Sequence, residues 1–122
     1  MFLKFSNHPS HLWGEKQRNE ALKYGDIIDI GFPNVSAASD EKEILECAKG
    51  YVDQIAKYDN PVVMVQGEFT LTYAVVEALL ERNIKVVSSC TERIAKVNVL
   101  EDGKSEKSSV FEFVRFREYT HI

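Results

Sequence analysis

The sequence has few of the features that mark membrane, secreted or disulfide-bonded proteins. No purely apolar run exceeds four residues, as in Val62–Val65, whereas a bilayer-spanning helix needs about 20. Two cysteines, Cys47 and Cys90, are too few for a disulfide framework or a metal-ligand cluster. Because Lys4 places a charge too early for a secretory signal, we expect a cytoplasmic protein with reduced thiols and no membrane partner.

The sequence also lacks an excess of positive charge. Its 15 basic and 19 acidic residues give a formal net charge of −4, which argues against long nucleic acid as a partner, since such binding depends on surplus Lys and Arg. A small anionic ligand is compatible with this charge, because helix N-termini and a few arginines can bind one locally. Three histidines without Cys, Asp or Glu at ligand spacing predict no metal site, and we expect no cofactor.

No repeat, low-complexity tract or linker divides the 122 residues, so we predict one domain over residues 1–122. Strand-like and helix-like segments alternate along it. The predicted strands are Met1–Ser6, Asp26–Ile30, Val62–Gln66 and Ile84–Ser88, and the predicted helices are Ser10–Tyr24, a segment that begins after Ser39 or Asp40, and Thr70–Arg82. This alternation predicts right-handed crossovers and a parallel sheet covered by helices on both faces, that is, an α/β three-layer sandwich.

The end of the chain predicts a C-terminal β-hairpin that extends the four-stranded parallel sheet. Its two strand-like segments are Arg93–Leu100 and Lys107–Tyr119. Between them, Asp102-Gly103 is typical of a two-residue type I′ turn. A turn at that place pairs Arg93 with Glu112 and Cys90 with Arg115.

In an open parallel sheet, ligands bind beyond the carboxyl ends of the strands, near the point where the strand order reverses. Three polar segments follow predicted strands one, three and four: Asn7–Ser10, Gln66–Thr70 and Ser88–Arg93. We expect these segments to meet at one rim of the sheet. The segment after strand two is less polar and is interpreted as a turn.

Gln66–Thr70 joins a predicted strand directly to a predicted helix. Gly67 would let a ligand approach the backbone, and free N–H groups at the helix start could hold a phosphate. Gln66 can both donate and accept hydrogen bonds, and Glu68 is expected to accept from a ribose hydroxyl, an amino group or an arginine. The alternative is a simple change of chain direction with Thr70 as the N-cap, and no P-loop or GxGxxG motif decides between the two.

Two further segments carry candidate chemistry. Ser88–Thr91 offers small hydrogen-bonding side chains and room for a ligand, or it is only a polar strand end. Cys90 lacks the arginine six residues later that a cysteine phosphatase loop needs, so thiol catalysis is not expected. His8 is the one histidine at a predicted strand end, where it could act as a general acid or base near neutral pH, or be an idle turn residue.

The arginines near the C-terminus are the candidate anion ligands. In an unbroken strand, Arg115 and Arg117 share a face with Phe111 and Phe113. Together with Arg93, these guanidinium groups could clamp a phosphate. The alternative is ordinary ion pairing at the protein surface.

Three strings of residues carry a family resemblance: Val62–Tyr73 (VVMVQGEFTLTY), Thr91-Glu92-Arg93 and Phe113–Tyr119 (FVRFREY). They resemble a family of small Rossmann-like CRISPR-associated proteins of type III systems, which are regarded as ring nucleases for cyclic oligoadenylate messengers. A weaker likeness covers Phe5–His8. The sequence departs from the family pattern at Thr70, where glycine is expected, at Cys90-Thr91, where a threonine pair is expected, and by one extra residue in Asn7-His8-Pro9.

The resemblance implies a Rossmann-like fold and a homodimer whose two sites enclose one cyclic ligand, with cyclic tetra-adenylate as the expected ring. The residues that it implies for the nucleotide site are Gln66, Gly67, Glu68, Thr72, Thr91, Arg93 and Arg115. It also implies a metal-independent reaction, in which a ribose 2′-hydroxyl attacks its own 3′-phosphate and leaves a 2′,3′-cyclic phosphate.

The site prediction combines the residue chemistry with the resemblance. The predicted catalytic residues are His8, Arg93 and Arg115. The predicted ligand contacts are Asn7, Ser10, Gln66, Gly67, Glu68, Thr70, Thr72, Ser89, Cys90 and Thr91. Three hypotheses remain open: a ring nuclease, a binding module that sequesters or senses the messenger without cutting it, and a nucleotide- or phosphosugar-binding subunit of some other complex.

Overall fold

A computed structural model describes the backbone of residues 1–122 and every side chain apart from those of Lys96 and Lys107. The helices and strands follow one another as β1 (Phe2–Phe5), α1 (Glu15–Leu22), β2 (Ile27–Ile30), α2 (Glu41–Ala56), β3 (Val62–Val65), α3 (Phe69–Glu81), β4 (Lys85–Val99) and β5 (Ser105–Glu118). A short 3₁₀ helix, Ser10–Leu12, precedes α1. The mixed α/β class is confirmed, whereas the finer assignment to a Rossmann-like three-layer sandwich stays a prediction.

Across residues 1–122, the strands form a five-stranded sheet in the order β2-β1-β3-β4-β5. The first four strands are parallel, and β5 is antiparallel to β4. The strand order reverses at β1, because β2 lies on one side of it and β3 on the other. The prediction of a four-stranded parallel sheet extended by a C-terminal β-hairpin differs from this five-stranded, mostly parallel sheet in one respect. The segments predicted as strand four and the first hairpin strand are one strand, β4, since pairing with β5 continues after pairing with β3 ends.

The β4–β5 register is partly as predicted. Cys90 lies opposite Arg115, but Arg93 lies opposite Phe111 rather than Glu112. The register shifts between Cys90 and Thr91, so that Val114 has no opposite residue. A β-bulge of this kind reverses which face the following side chains occupy.

The turn of this hairpin also differs from the prediction. The N–H of Leu100 donates to the carbonyl of Lys104 at 2.7 Å, which closes a three-residue loop. Gly103 has φ +81°, whereas Asp102 has no positive φ. A type I′ turn needs positive φ at both central residues, so the loop has the three-residue form with glycine in the left-handed position.

Helix starts show which side chains the sequence pattern identified and which it did not. The Asp40 carboxylate accepts from the N–H of Glu43 at 2.9 Å and caps α2, as expected. Ser10 does not cap a long helix, because its hydroxyl is bound to Asp29, and α1 begins only after Gly14. None of the helices in the described part of the chain is long and apolar enough to span a membrane.

Alternation along the strands divides the sheet into two faces with separate cores. The α2/α3 face carries Leu3, Phe5, Val63, Val65 and Val86, which pack against α2 and α3 in a cluster of buried apolar residues. The α1 face carries Phe2, Val62, Met64 and Val87, which form a smaller cluster with Ala21 of α1. The remainder of β4 and β5, residues 91–113, extends beyond the β3 strand end as a two-stranded ribbon, which we call the arm.

Candidate functional site

A cleft of about 300 Å³ opens at the carboxyl edge of the parallel strands, on the α1 face. Its lining comes from the ends of β1 and β3, from β4, and from the segment that leads into α1. The lining residues are Ser6, His8, Pro9, Leu12, Trp13, Gln17, Met64, Gln66, Ser89 and Thr91. We call it the rim cleft. It brings together four of the predicted site residues, His8, Gln66, Ser89 and Thr91.

Parallel pairing explains why the β1 and β3 exits meet. Phe5 and Val65 are register partners, so the next residues, Ser6 and Gln66, leave the sheet side by side. The N–H of Gln66 donates to the Phe5 carbonyl at 3.1 Å. The Ser6 hydroxyl accepts from the His8 N–H at 3.3 Å, which holds the turn in place.

The segment between β1 and α1 forms one wall of the rim cleft. Asp29 Oδ2 on β2 accepts from both the N–H and the hydroxyl of Ser10, at 3.2 and 3.0 Å. Arg18 donates to the Ser10 carbonyl at 2.7 Å, and Gln17 Nε2 donates to Ser89 Oγ at 3.1 Å. Ser10 therefore anchors this wall, whereas the sequence predicted it as a ligand contact.

Glu68 is the N-cap of α3, which corrects the alternative that gave this place to Thr70. Its carboxylate accepts from the N–H groups of Leu71 and Thr70, at 2.8 and 3.0 Å, and from the Thr70 hydroxyl at 2.8 Å. These hydrogen bonds lower the pKa of Glu68, and the bond from the Leu71 N–H has the largest effect. The Glu68 carboxylate thus occupies N–H groups that were expected to hold a phosphate, so the start of α3 already binds an anion from the chain itself.

Close packing explains why residue 67 is a glycine, and the sequence alone did not show this contact. A Cβ on Gly67 would come within 2.6 Å of the Phe32 ring. That ring is buried and packs against Phe5, with 4.8 Å between the ring centroids. On this side, the space that was predicted to admit a ligand is filled by Phe32.

The bulge separates the two predicted catalytic arginines. Partners across an antiparallel pair share a face, so Arg93 lies on the α1 face with Phe111, and Arg115 lies on the α2/α3 face with Cys90. Arg117, opposite Ser88, is also on the α2/α3 face. The expectation that both C-terminal arginines share a face with Phe111 and Phe113 is therefore wrong. Arg93 follows Thr91 by two residues, about 7 Å along β4.

The remaining predicted contacts lie outside the lining of the rim cleft. Thr70 lines a groove between the start of α2 and α3. Thr72 lines another groove, between α3 and the C-terminal residues, where its buried Oγ1 lacks a hydrogen bond among the described atoms. Cys90 lies across the sheet, and the exposed Asn7 does not line the cleft.

Six lining residues were not predicted as ligand contacts: Ser6, Pro9, Leu12, Trp13, Gln17 and Met64. Alternation along the strands could have identified Ser6 and Met64, because Ser6 follows Lys4 on the same face of β1 and Met64 is the register partner of Lys4. No local pattern singles out Gln17, since it is one polar residue among many on α1. Among the described side chains, no cluster of three or more His, Cys, Asp or Glu could hold a metal ion.

Comparison with known proteins gives the chain a family. The family model described as "Uncharacterized protein MJ1673 family" matches residues 1–117. The chain belongs to that family. The relative "Uncharacterized protein MJ1673" of Methanocaldococcus jannaschii is 32% identical to this MJ1673-family protein over 129 residues, which cover 98% of this chain and 95% of the relative. No solved structure matches the chain.

Proposed function

We propose that this MJ1673-family protein is a cytoplasmic, Rossmann-like protein that binds cyclic oligoadenylate, with cyclic tetra-adenylate as the expected ring, and linearises it. The rim cleft carries the proposal. It lies where the order of parallel strands reverses, which is where open α/β sheets bind nucleotides. His8, Gln66, Ser89 and Thr91 all line it.

The cleft chemistry fits one nucleotide unit. Gln66 can donate to and accept from a base edge, and Thr91 offers a hydroxyl from the same lining. Trp13 adds an aromatic wall on which a base could stack. A volume of about 300 Å³ is at the small end for ligand sites, so one cleft would hold part of a ring and leave the rest to a second copy.

The proposed reaction needs positioning and one proton relay. The ribose 2′-oxygen bonds to the adjacent phosphorus while the bond from phosphorus to the 5′-oxygen breaks, which leaves a 2′,3′-cyclic phosphate and a 5′-hydroxyl. His8 would accept the proton of the 2′-hydroxyl and deliver it to the departing 5′-oxygen, so that no proton is gained or lost overall. Arg93, on the same face, would stabilise the charge on phosphorus. We give Arg115 no part in this step, because it lies on the other face.

The arm supports a homodimer as the working form. On its α1 face Val97, Val99 and Phe111 are 63%, 79% and 70% exposed. An isolated two-stranded ribbon is marginally stable in water, so a partner that covers this face would stabilise it. The arm carries four basic and five acidic residues, a balance that suits pairing with its own copy.

Sedimentation of arm variants tests this interface. Wild-type protein should sediment as a dimer, and Phe111→Asp with Val99→Asp should sediment as a monomer. Ser108→Asp is the matched control, because Ser108 lies on the other face of the arm, and it should leave the dimer intact. A wild-type monomer at micromolar concentration, or a dimer that survives the double substitution, would reject the arm as the interface.

Incubation of the purified protein with cyclic oligoadenylates of several ring sizes, in the presence of EDTA, tests the activity. Chromatography and mass spectrometry should detect linear products with 2′,3′-cyclic phosphate ends, and His8→Ala should slow cleavage far more than it weakens binding. Ligand that is bound but stays intact would indicate sequestration or sensing in place of cleavage. No interaction at micromolar ligand would leave a site for another nucleotide or a phosphosugar.

One observation favours the binding-only alternative. Catalytic histidines are usually oriented by a second group, yet His8 is exposed and its imidazole has no hydrogen-bond partner among the described residues. Ligand would therefore have to orient the ring in a catalytic complex. Equal cleavage rates for wild type and His8→Ala would show that positioning alone drives the reaction.

A further inference from the structure

Lys4 is buried in the middle of β1, the strand where the order of the sheet reverses. Its side chain is 1% exposed, and Lys4 and Ser6 are the buried polar residues within the described part of the chain. Both lie on the α1 face. Lysine is almost never fully buried in a protein unless it has a partner.

No such partner is found for Lys4 among the described side chains. Asp29 is its register neighbour on β2, but no ion pair joins them, and Asp29 Oδ2 accepts two hydrogen bonds from Ser10. Burial lowers the pKa of Lys4, and the charge of Asp29 only partly opposes this. Nζ of Lys4 has no hydrogen-bond partner among the described atoms, yet it is not one of the fully buried unpaired atoms. The small part of Lys4 that solvent reaches therefore includes Nζ.

Two neighbours of Lys4 on the same face of the sheet line the rim cleft. Its register partner on β3 is Met64, and the next residue on the same face of β1 is Ser6. Both Met64 and Ser6 line the cleft. Lys4 itself is not among the lining residues, so a contact with a ligand in the cleft requires its flexible side chain to reach between them.

We propose that Lys4 is an anion-recognition residue that holds a phosphate of the bound ligand from beneath the rim cleft. A buried cation without a counter-ion costs stability, and such groups concentrate at functional sites. A phosphate supplies the missing charge and forms a charge-assisted hydrogen bond with the ammonium. The identity of the ligand as a cyclic oligoadenylate rests on the proposed function, whereas phosphate recognition by Lys4 does not.

The test compares stability with affinity in Lys4→Met. Methionine fills a similar volume without the buried charge, so the ligand-free variant should unfold at a higher temperature than wild type. Its dissociation constant for cyclic oligoadenylate should rise at least about tenfold, the loss expected for a charge-assisted contact. Lys49→Met removes a charge from an exposed position on α2 and should change neither quantity. Lys4→Arg, which keeps the charge, should retain more affinity than Lys4→Met.

Thermal shifts with inorganic phosphate and AMP separate this proposal from the proposed function. If wild type ignores cyclic oligoadenylate but is stabilised by phosphate or AMP, and Lys4→Met loses that response, Lys4 keeps its role and the messenger is rejected. If Lys4→Met binds as tightly as wild type, the Lys4 proposal fails and the messenger stands. A variant that loses both stability and affinity would also overturn it, because the lysine would then serve the fold. A wild type that responds to none of these anions would overturn both.

Discussion

The two faces of the sheet differ in what they bury. The α2/α3 face buries a large apolar cluster, and its strand residues, such as Leu3, Phe5 and Val63, are fully inaccessible to solvent. The α1 face has a smaller apolar cluster, and the two buried polar residues among the described side chains, Lys4 and Ser6, lie on it. Because apolar burial supplies most of the stability of a fold, the α2/α3 face can stabilise a sheet whose other face carries polar groups at some cost.

The rim cleft opens on the less stabilised face. Polar groups are costly in an apolar interior, and the smaller core on the α1 face leaves room for them beside Trp13 and Gln17. On the α2/α3 face, the corresponding places near the rim are filled. Phe32 packs against Gly67, and Glu68 caps α3. We infer that stability and ligand binding are divided between the two faces, and four measurements test this division.

Truncation within the α2/α3 core should have the largest effect. Leu79 is fully buried in that cluster, so Leu79→Ala should lower the free energy of unfolding by about 2–5 kcal/mol through lost burial and a cavity. Leu45→Ala, at a position 62% exposed on α2, should change it by less than about 0.5 kcal/mol. Urea denaturation measures both. Equal effects of the two truncations would show that this face is not the main source of stability.

Gly67→Ala tests the packing that closes the α2/α3 side of the rim. The new Cβ would meet the Phe32 ring at 2.6 Å, and we expect a loss of about 1–3 kcal/mol in the free energy of unfolding. Phe32→Leu in the same chain should recover part of that loss. Gly50→Ala in α2, where a Cβ meets nothing within 4 Å, should instead stabilise the protein by about 0.5–1 kcal/mol. If both glycine substitutions stabilise, the Phe32 contact does not restrict Gly67.

A pair of arginine substitutions compares the two faces for ligand binding. Arg93→Ala, on the α1 face, should weaken ligand affinity by about 1–3 kcal/mol, as should Gln66→Ala at the rim cleft. Arg115→Ala, on the α2/α3 face, should leave affinity unchanged. Isothermal titration with the cyclic ligand measures all three variants. A loss with Arg115→Ala alone would move the site to the other face.

Acid titration of the α3 cap should show the smallest effect. The pKa of Glu68 is lowered in the folded protein, so its contribution to stability is present above the unfolded pKa and is lost as the pH falls through the folded value. Wild type should therefore unfold at a higher temperature than Glu68→Gln near pH 7, and the gap should close in acid. A gap that stays constant from pH 7 to below the folded pKa would mean that the charge of Glu68 does not stabilise the helix.

Much of the fold followed from local patterns in the sequence. Apolar runs and capping residues predicted the order of strands and helices, including the start of α2 at the Asp40 cap. The sequence also predicted that the exits of strands one, three and four would meet, since parallel strands place their carboxyl ends at one edge. His8, Gln66, Ser89 and Thr91 meet there in the rim cleft.

Other features depended on contacts between residues far apart in the chain. The bulge at Val114 decided that Arg93 and Arg115 lie on different faces, because the added residue reverses the faces that follow it. Asp29 accepts the hydrogen bond of the Ser10 hydroxyl, and the Phe32 ring fills the space beside Gly67. The sequence by itself determined the order in which strands and helices alternate, because local propensity and periodicity act over a few residues. Only the tertiary structure decided which polar groups are free for a ligand, because a side chain is free only when no distant neighbour has bound it.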